Sequence, residues 1–590
     1  MSENYTTSTA FLEALQEAGV SYIFANLGSD HPAMIEALAL AKKQNKKFPE
    51  VITCPHEMVA LTAASSYAQM TGEPQAVVVH VECGTQNLGG AIHNAAKGRI
   101  PVLIFAGASP YTQEGELLGS RNEFIHWLQD VHDQRGIVRG YTKYDNEIRT
   151  GSNVKQLVHR SLQIAKSNPK GPVYLVGPRE VMEETTQKVN IDTNQWEPLA
   201  SAALPAEDVK NIVADLKKAK KPLVITSYLG REREAVEELV KLCESLSIPV
   251  IESVPSYMNF PGDHSLHCGY QWWNSPDKIE LLTDADVILV LDSDVPWIPM
   301  KHKPNGDCII YHIDVDPLKQ QMPLWYIKSK RSFYADCKIA LRQINEMLDN
   351  ESLDKTEIVT RRGKISNIHQ QQVEEEQELE QINSEYITPE YLTSCIREIV
   401  DENTIILNEG ISNYPIIYKH IRSNKPGSII SSGAGSLGWH GGAAIGVKLA
   451  YKDKTVISLT GDGSYMFSVP STVHWMARKY NTPFLTVIYN NRGWKSPKLS
   501  TLGVHPDGVA NEMSEFHVDF GPVTDYAKVA EAAGGAYAQT VKDPKDVKGA
   551  LQNALQAIKE GRAAVLDVYL PAIHPEKDVD FGDKAVTLMK

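Results

Sequence analysis

An α/β protein built on parallel sheets is predicted by three observations. Short apolar, β-branched runs alternate with helical stretches along most of the chain. Nearly every such run ends in Gly, Ser, Asp or Asn, and no fixed-period repeat is visible, which removes solenoids and propellers. Parallel strands need crossovers, and the intervening helices supply them. At roughly 150 residues per unit, the 590 residues divide into about three or four domains.

The elements follow in order. TAFLEAL near residue 10 reads as helix, SYIFANLGS from Ser21 as a buried strand running into a Gly-Ser turn, and AVVVHV from Ala76 as a second strand. KPLVITSYLG from Lys221, DVILVLDSD from Asp286, TVISLTGDG from Thr455 and PFLTVIYNN from Pro483 repeat the pattern. Two stretches interrupt it. Residues 183–206 are polar and aperiodic, and residues 351–385, which include QQQVEEEQELEQ, are charged and Gln-rich; both read as linkers, the second carrying an exposed helix with a solvated acidic face.

Composition removes several function classes. With 59 basic against 73 acidic residues the net charge is −14, the wrong sign for general nucleic-acid binding. The seven cysteines are widely spaced with no CxxC, which fits neither a disulfide framework nor a zinc site and suits a reducing compartment. The N-terminus lacks the cationic start and apolar core of a signal peptide, and no apolar run approaches a membrane span. A soluble, cytoplasmic protein is expected.

In open α/β sheets ligands bind beyond the carboxyl ends of strands, so strand endings are where chemistry should lie. Gly461-Asp462-Gly463-Ser464 ends one strand; after 26 intervening residues, 464–489, a second strand ends in Asn490-Asn491. Glycine lets backbone approach phosphate oxygens, Asp462 offers a hard carboxylate and Asn491 a neutral amide oxygen, a set that suits Mg²⁺ bridged to a diphosphate. NEGISN, residues 408–413, and SSGAGSLGWHGGAAIG, residues 431–446, add Ser412 and Gly-rich turns favourable to anions.

GDG, a stretch of this length and NN together resemble the signature of the thiamine diphosphate enzymes. The resemblance implies Asp462, Asn491 and the Gly493 carbonyl as Mg²⁺ ligands. It also implies Ser412, Gly461, Gly463 and Ser464 at the diphosphate, the Gly435 carbonyl at the aminopyrimidine, and Leu437 as the wedge beneath the cofactor. CPHEMVALTAASSYAQMTG, residues 54–72, resembles the family's acid-bearing segment and makes Glu57 the carboxyl group that activates the aminopyrimidine from a nearly dry pocket. Around FANLGS and HVECGTQNLGG the spacing resembles benzoylformate decarboxylase, which implies that Ser29 handles the substrate carboxylate and His80 relays protons.

Other polar residues stay open between roles. Gln86 and Asn87 suit either a bound carbonyl or a helix cap. His440, beside the Gly-rich stretch, suits substrate contact or a local hydrogen bond. Trp494, Lys495 and His505 can close over a substrate, and their type differs from the relatives. Pyruvate decarboxylases carry adjacent histidines where GSRNEFIHWLQD offers only His126, and TSYLGRERE carries no dinucleotide fingerprint, so flavin is not expected.

The resemblance therefore implies three doubly wound α/β domains: pyrimidine-binding over 1–185, central Rossmann-like over 205–350, and, after a charged linker at 351–385, a diphosphate- and Mg-binding domain with a lid over 386–590. It implies a homodimer or homotetramer with the active site between subunits. The reaction it implies is non-oxidative decarboxylation of a 2-oxo acid, carboligation of the resulting enamine with a second carbonyl compound, or both. Acetolactate synthase proper, a 2-hydroxyacyl (acyloin or acyl-CoA) lyase, and a non-catalytic cofactor-binding protein are the alternatives.

Overall fold

The computed structural model describes residues 5–272, 279–521 and 524–573; residues 574–590, the end of the expected third domain, lie outside them. Three six-stranded, wholly parallel sheets follow one another along the chain. The first holds β1 (Tyr22–Ala25), β2 (Glu50–Thr53), β3 (Gln75–Val79), β4 (Val102–Ala108), β5 (Tyr144–Glu147) and β6 (Val173–Pro178) in the order β2-β1-β3-β4-β6-β5. The second holds β7 (Pro222–Thr226), β8 (Val250–Ser253), β9 (His267–Gln271), β10 (Val287–Leu291), β11 (Ile309–Asp314) and β12 (Arg331–Tyr334) in the order β12-β11-β10-β7-β8-β9. That is the dinucleotide-type order, with its switch point between β7 and β10.

The third sheet repeats the order of the first. It holds β13 (Thr404–Glu409), β14 (Ile429–Ile430), β15 (Thr455–Gly461), β16 (Leu485–Asn490), β17 (Tyr537–Val541) and β18 (Ala564–Tyr569), lying as β14-β13-β15-β16-β18-β17. Every residue of β3, β10 and β16 is buried, as central parallel strands covered by helices on both faces require. The strand expected from Ser21, running into a Gly-Ser turn, spans Tyr22–Ala25, and residues 26–29 follow it.

One helix contact sets the geometry between the first and third domains. Helix Glu57–Thr71 packs on helix Trp439–Ala450 at backbone distance: a Cβ on Gly446 would lie 2.1 Å from the Ala63 carbonyl oxygen, and one on Gly442 3.0 Å from that of Val59. Glycine is demanded at both positions because its partner is backbone and cannot move aside. The charged stretch expected to carry a helix forms Lys355–Leu379, a 25-residue helix capped by Asp354. Its acidic end is not merely solvated: Glu376 pairs with Arg422, and Glu380, just beyond it, with Arg397 and His420.

Candidate active site

Strand ends of the third sheet surround a cavity of about 290 Å³, lined by Ser412, Gly435, Leu437, Gly461, Asp462, Gly463, Ser464, Asn491, Gly493, Trp494 and Lys495 among others. Asp462 is only 2% exposed. Its Oδ1 accepts from the Gly463 N–H at 2.8 Å and its Oδ2 from the Gly493 N–H at 3.0 Å. Burial pushes its pKa up to about 7, although those N–H groups favour the charged form. Among the described residues no cationic side chain pairs with it, and the Ser464 hydroxyl in the same cavity is buried without a partner.

A desolvated carboxylate, an amide oxygen and a free backbone carbonyl form a hard-oxygen set, and an orphaned hydroxyl stands beside them. These residues fit a divalent cation carried on a diphosphate. The backbone is held to that shape under strain: Ile411 has φ 52° and Arg492 φ 62°, left-handed values unfavourable for side-chain-bearing residues. Gly463 is required where it stands, because a Cβ there would meet the Trp494 indole nitrogen at 2.5 Å.

Beneath the cavity lies a second buried acid. Glu409, at the end of β13, accepts from the Trp439 N–H at 3.1 Å and the His440 N–H at 2.8 Å, capping the helix that follows the Gly-rich segment. Burial pushes its pKa up to about 8 against those hydrogen bonds.

The first sheet presents a different constellation at its strand ends. Glu57 opens its helix with Oε1 accepting from Asn26 Nδ2 at 3.0 Å and Oε2 from Asn87 Nδ2 at 2.6 Å. It is half-buried within the single chain, not in the dry pocket expected, and it is not among the residues lining the cavity of its own third domain. His80 places Nδ1 2.5 Å from Asp30 Oδ1 and Nε2 2.9 Å from Gln129 Oε1. The Asp30 hydrogen bond raises its pKa against the opposing effect of burial. Burial opposes the charge on Asp30 in turn, but His31 and His80 outweigh it and hold that carboxyl well below the usual range.

Room for this pair is made by glycine. A Cβ on Gly28 would overlap the His80 ring at 2.0 Å, and one on Gly107 would meet Asp30 Oδ2 at 1.9 Å. Val81, directly after His80, sits at φ 32°, so the ring is aimed by a strained backbone. Ser29 lies beside it with Oγ 3.2 Å from His126 Nε2.

The remaining expected residues part company. Trp494 and Lys495 line the cavity, and the Trp494 ring meets Phe520 edge-on at 5.0 Å. His440 is not among the lining residues: it is 1% exposed, with Nδ1 2.9 Å from Ser458 Oγ and its ring stacked on Tyr465. Its position in the first turn of a buried helix turns it into the core, so of its two open roles the structure takes the local hydrogen bond. Gln86 is exposed and donates to Glu82, while Asn87 holds Glu57. Sequence reasoning missed Asn26, Asp30 and Glu409; Asp30 and Glu409 stand next to residues it did single out, in GSDHP and NEGISN, and only long-range pairing reveals their partners.

The central sheet offers a contrasting crevice at its switch point. Lys319, fully buried, donates to the Tyr228 hydroxyl and Asp314 Oδ2 at 2.7 Å each and lies 2.8 Å from Asp294 Oδ1. Arg231 pairs with Asp292 at 2.7 Å, and Arg99, reaching over from the first domain, pairs with Asp294 and Asp316. Burial works against the charge on Asp314, yet Lys319, His312 and Arg99 keep its carboxyl well below the ordinary range. Lys319, Arg231 and Arg99 are thus each committed to aspartates.

Three family models match in order: the N-terminal thiamine pyrophosphate binding domain of thiamine pyrophosphate enzymes over residues 5–137, their central domain over 209–344 and their C-terminal thiamine pyrophosphate binding domain over 410–568. The chain is 25% identical to the acetolactate synthase of Bacillus subtilis over 558 residues, 92% of this chain and 90% of that protein. It is 24% identical to the sulfoacetaldehyde acetyltransferase of Castellaniella defragrans, over 96% of this chain and 93% of that one. The thiamine diphosphate-dependent 4-hydroxybenzoylformate decarboxylase of Rhodococcus jostii shares the fold, with a TM-score of 0.74 at 21% identity over 96% of this chain and 99% of that one.

Proposed function

This chain belongs to the thiamine pyrophosphate enzymes, and we propose that it decarboxylates a 2-oxo acid without oxidation, releasing the remainder as an aldehyde or joining it to a second carbonyl compound. The observation that carries the reading is Asp462, a buried carboxylate with no cationic side chain paired to it among the described residues, facing a cavity with an orphaned serine hydroxyl. When bound, thiamine diphosphate supplies the electron sink that makes loss of CO₂ feasible. Asp462, Asn491 and the Gly493 carbonyl would hold Mg²⁺, neutralising the diphosphate. Ser412 and Ser464 would contact its oxygens, the Gly435 carbonyl would orient the aminopyrimidine and Leu437 would support it from below.

Glu57 is proposed as the acid at the aminopyrimidine, held in place by Asn26 and Asn87. His80 moves protons from Nε2 while Asp30 fixes its ring through Nδ1. Ser29 orients the acid to be cleaved. Because Glu57 does not line its own chain's cavity, the site is proposed to form between two subunits of a dimer or a tetramer of two dimers. Exposed apolar side chains near both half-sites support this: Leu118, Phe124 and Leu128 by the first, Met466, Phe467 and Trp494 by the third domain. The central domain, its cations paired internally, is proposed to hold no flavin.

The test is mass-spectrometric product analysis of the protein loaded with thiamine diphosphate and Mg²⁺, against 2-oxo acids with and without acceptor aldehydes. Aldehyde alone identifies a decarboxylase, and a coupled product a carboligase. Glu57→Gln is expected to lower turnover by ~10³-fold or more with cofactor affinity retained; undiminished turnover in that variant refutes the role.

A further inference from the structure

Arg179 stands immediately after β6, at the head of the short helix Arg179–Glu183, and is only 8% exposed. Its Nη1 donates to Asn122 Oδ1 at 2.9 Å and lies 3.3 Å from His126 Nε2. Its Nε is buried with no partner, and no carboxylate pairs with it among the described residues. The contrast within the molecule is plain, since the part-buried Arg99 and Arg231 each have an aspartate. Glu183 lies near enough to feel its charge but makes no ion pair with it, and burying a guanidinium without a paired carboxylate is costly, so a fold that keeps one has a use for it.

That use is set by position. Arg179 lies one imidazole away from Ser29: His126 Nε2 is 3.2 Å from Ser29 Oγ on one side and 3.3 Å from Arg179 on the other. His126 itself is fully buried, and burial together with Arg179 lowers its pKa, so it brings no second charge. The carboxylate that leaves as CO₂ loses its charge in the reaction, so a cation paired to it would stabilise reactant over transition state. A guanidinium here serves better against an anionic group that keeps its charge throughout. We propose, resting on the 2-oxo acid reading, that Arg179 with His126 forms a subsite, next to Ser29 and the acid it orients, for a second acidic group, making the preferred substrates 2-oxo acids that carry a terminal carboxylate or sulfonate.

The test compares acids matched in length on the cofactor-loaded enzyme: 2-oxoglutarate against 2-oxopentanoate, and 3-sulfopyruvate against 2-oxobutanoate. The dianions are expected to have the higher kcat/KM by about 10⁴-fold, the scale for a site whose buried polar group is left unpaired by the wrong substrate. Arg179→Gln should remove most of that preference through KM, lowering the monoanions far less, and Arg179→Lys should restore part of it. A wild-type preference for monoanions, or an equal loss for both classes, overturns the proposal. Calorimetric binding of glutarate to the loaded protein separates it from the reading beneath it. Arg179-dependent binding without turnover of any acid keeps the subsite and sinks the decarboxylase, whereas binding that ignores Arg179 sinks the subsite.

Discussion

The central and third domains both open a crevice at their strand ends, and they treat buried acids in opposite ways. In the central domain Asp292, Asp294 and Asp314 each have a cationic partner, Arg231, Arg99 and Lys319, although burial still raises Asp292. In the third domain Asp462 and Glu409 have only backbone N–H groups, and burial raises both. Similar architecture thus hides a difference in what each crevice still requires. The central acids have ammonium or guanidinium partners, and Asp462 has none among the described residues, a place that a divalent metal ion would fill.

That contrast can be broken at either end. The largest effect is expected from Lys319→Met, which strands Asp314 without its ammonium and leaves Asp294 to Arg99 alone. A loss of about 3–5 kcal/mol in denaturant unfolding is expected, with the affinity of the folded protein for thiamine diphosphate unchanged. Cofactor loss in that variant would mean the central crevice does serve the ligand. Asp462→Asn should behave inversely, weakening Mg²⁺-dependent cofactor binding by about 100-fold while the melting temperature of the cofactor-free protein holds or rises. Titration calorimetry and a thermal scan read the two arms.

A smaller effect sharpens the comparison through pH. Glu409 keeps its proton to about pH 8 in the native state, whereas an unfolded glutamate loses it near pH ~4.3. Between those values the native state binds more protons, so stability of the cofactor-free protein falls as pH rises through that window. Glu409→Gln should flatten this slope, a difference of about 3–4 kcal/mol between about pH 5 and about pH 8. Parallel slopes for both proteins would show that Glu409 is ionised throughout.

The alternation of apolar runs and helices was legible because buried parallel strands leave a contiguous β-branched imprint, as in Thr455–Gly461 and Leu485–Asn490. The charged helix at Lys355–Leu379 was legible for the opposite reason, a lack of apolar residues. The cavity of the third domain was equally readable, since Gly461 to Ser464 and Asn491 lie in local motifs. What escaped depends on pairing across the sheet. Asp30 meets His80 from 50 residues away, and Arg179 meets His126 from 53. A lone arginine after a strand looks like surface until its burial is seen. His440 shows the converse: a polar residue in a Gly-rich motif looks functional until its ring is found facing Ser458.

The close contact of Gly446 on Ala63 turns helix Glu57–Thr71 into a lever. Glu57 lies six residues from that fulcrum, about 9 Å at the rise of an α-helix. A tilt of about 6° would swing the carboxyl by ~1 Å, a misplacement able to cost a hundredfold in rate. Any side chain at position 446 would press on this pivot far from the chemistry. Rate could then be tuned or lost there by mechanics alone, with every reacting group still in place.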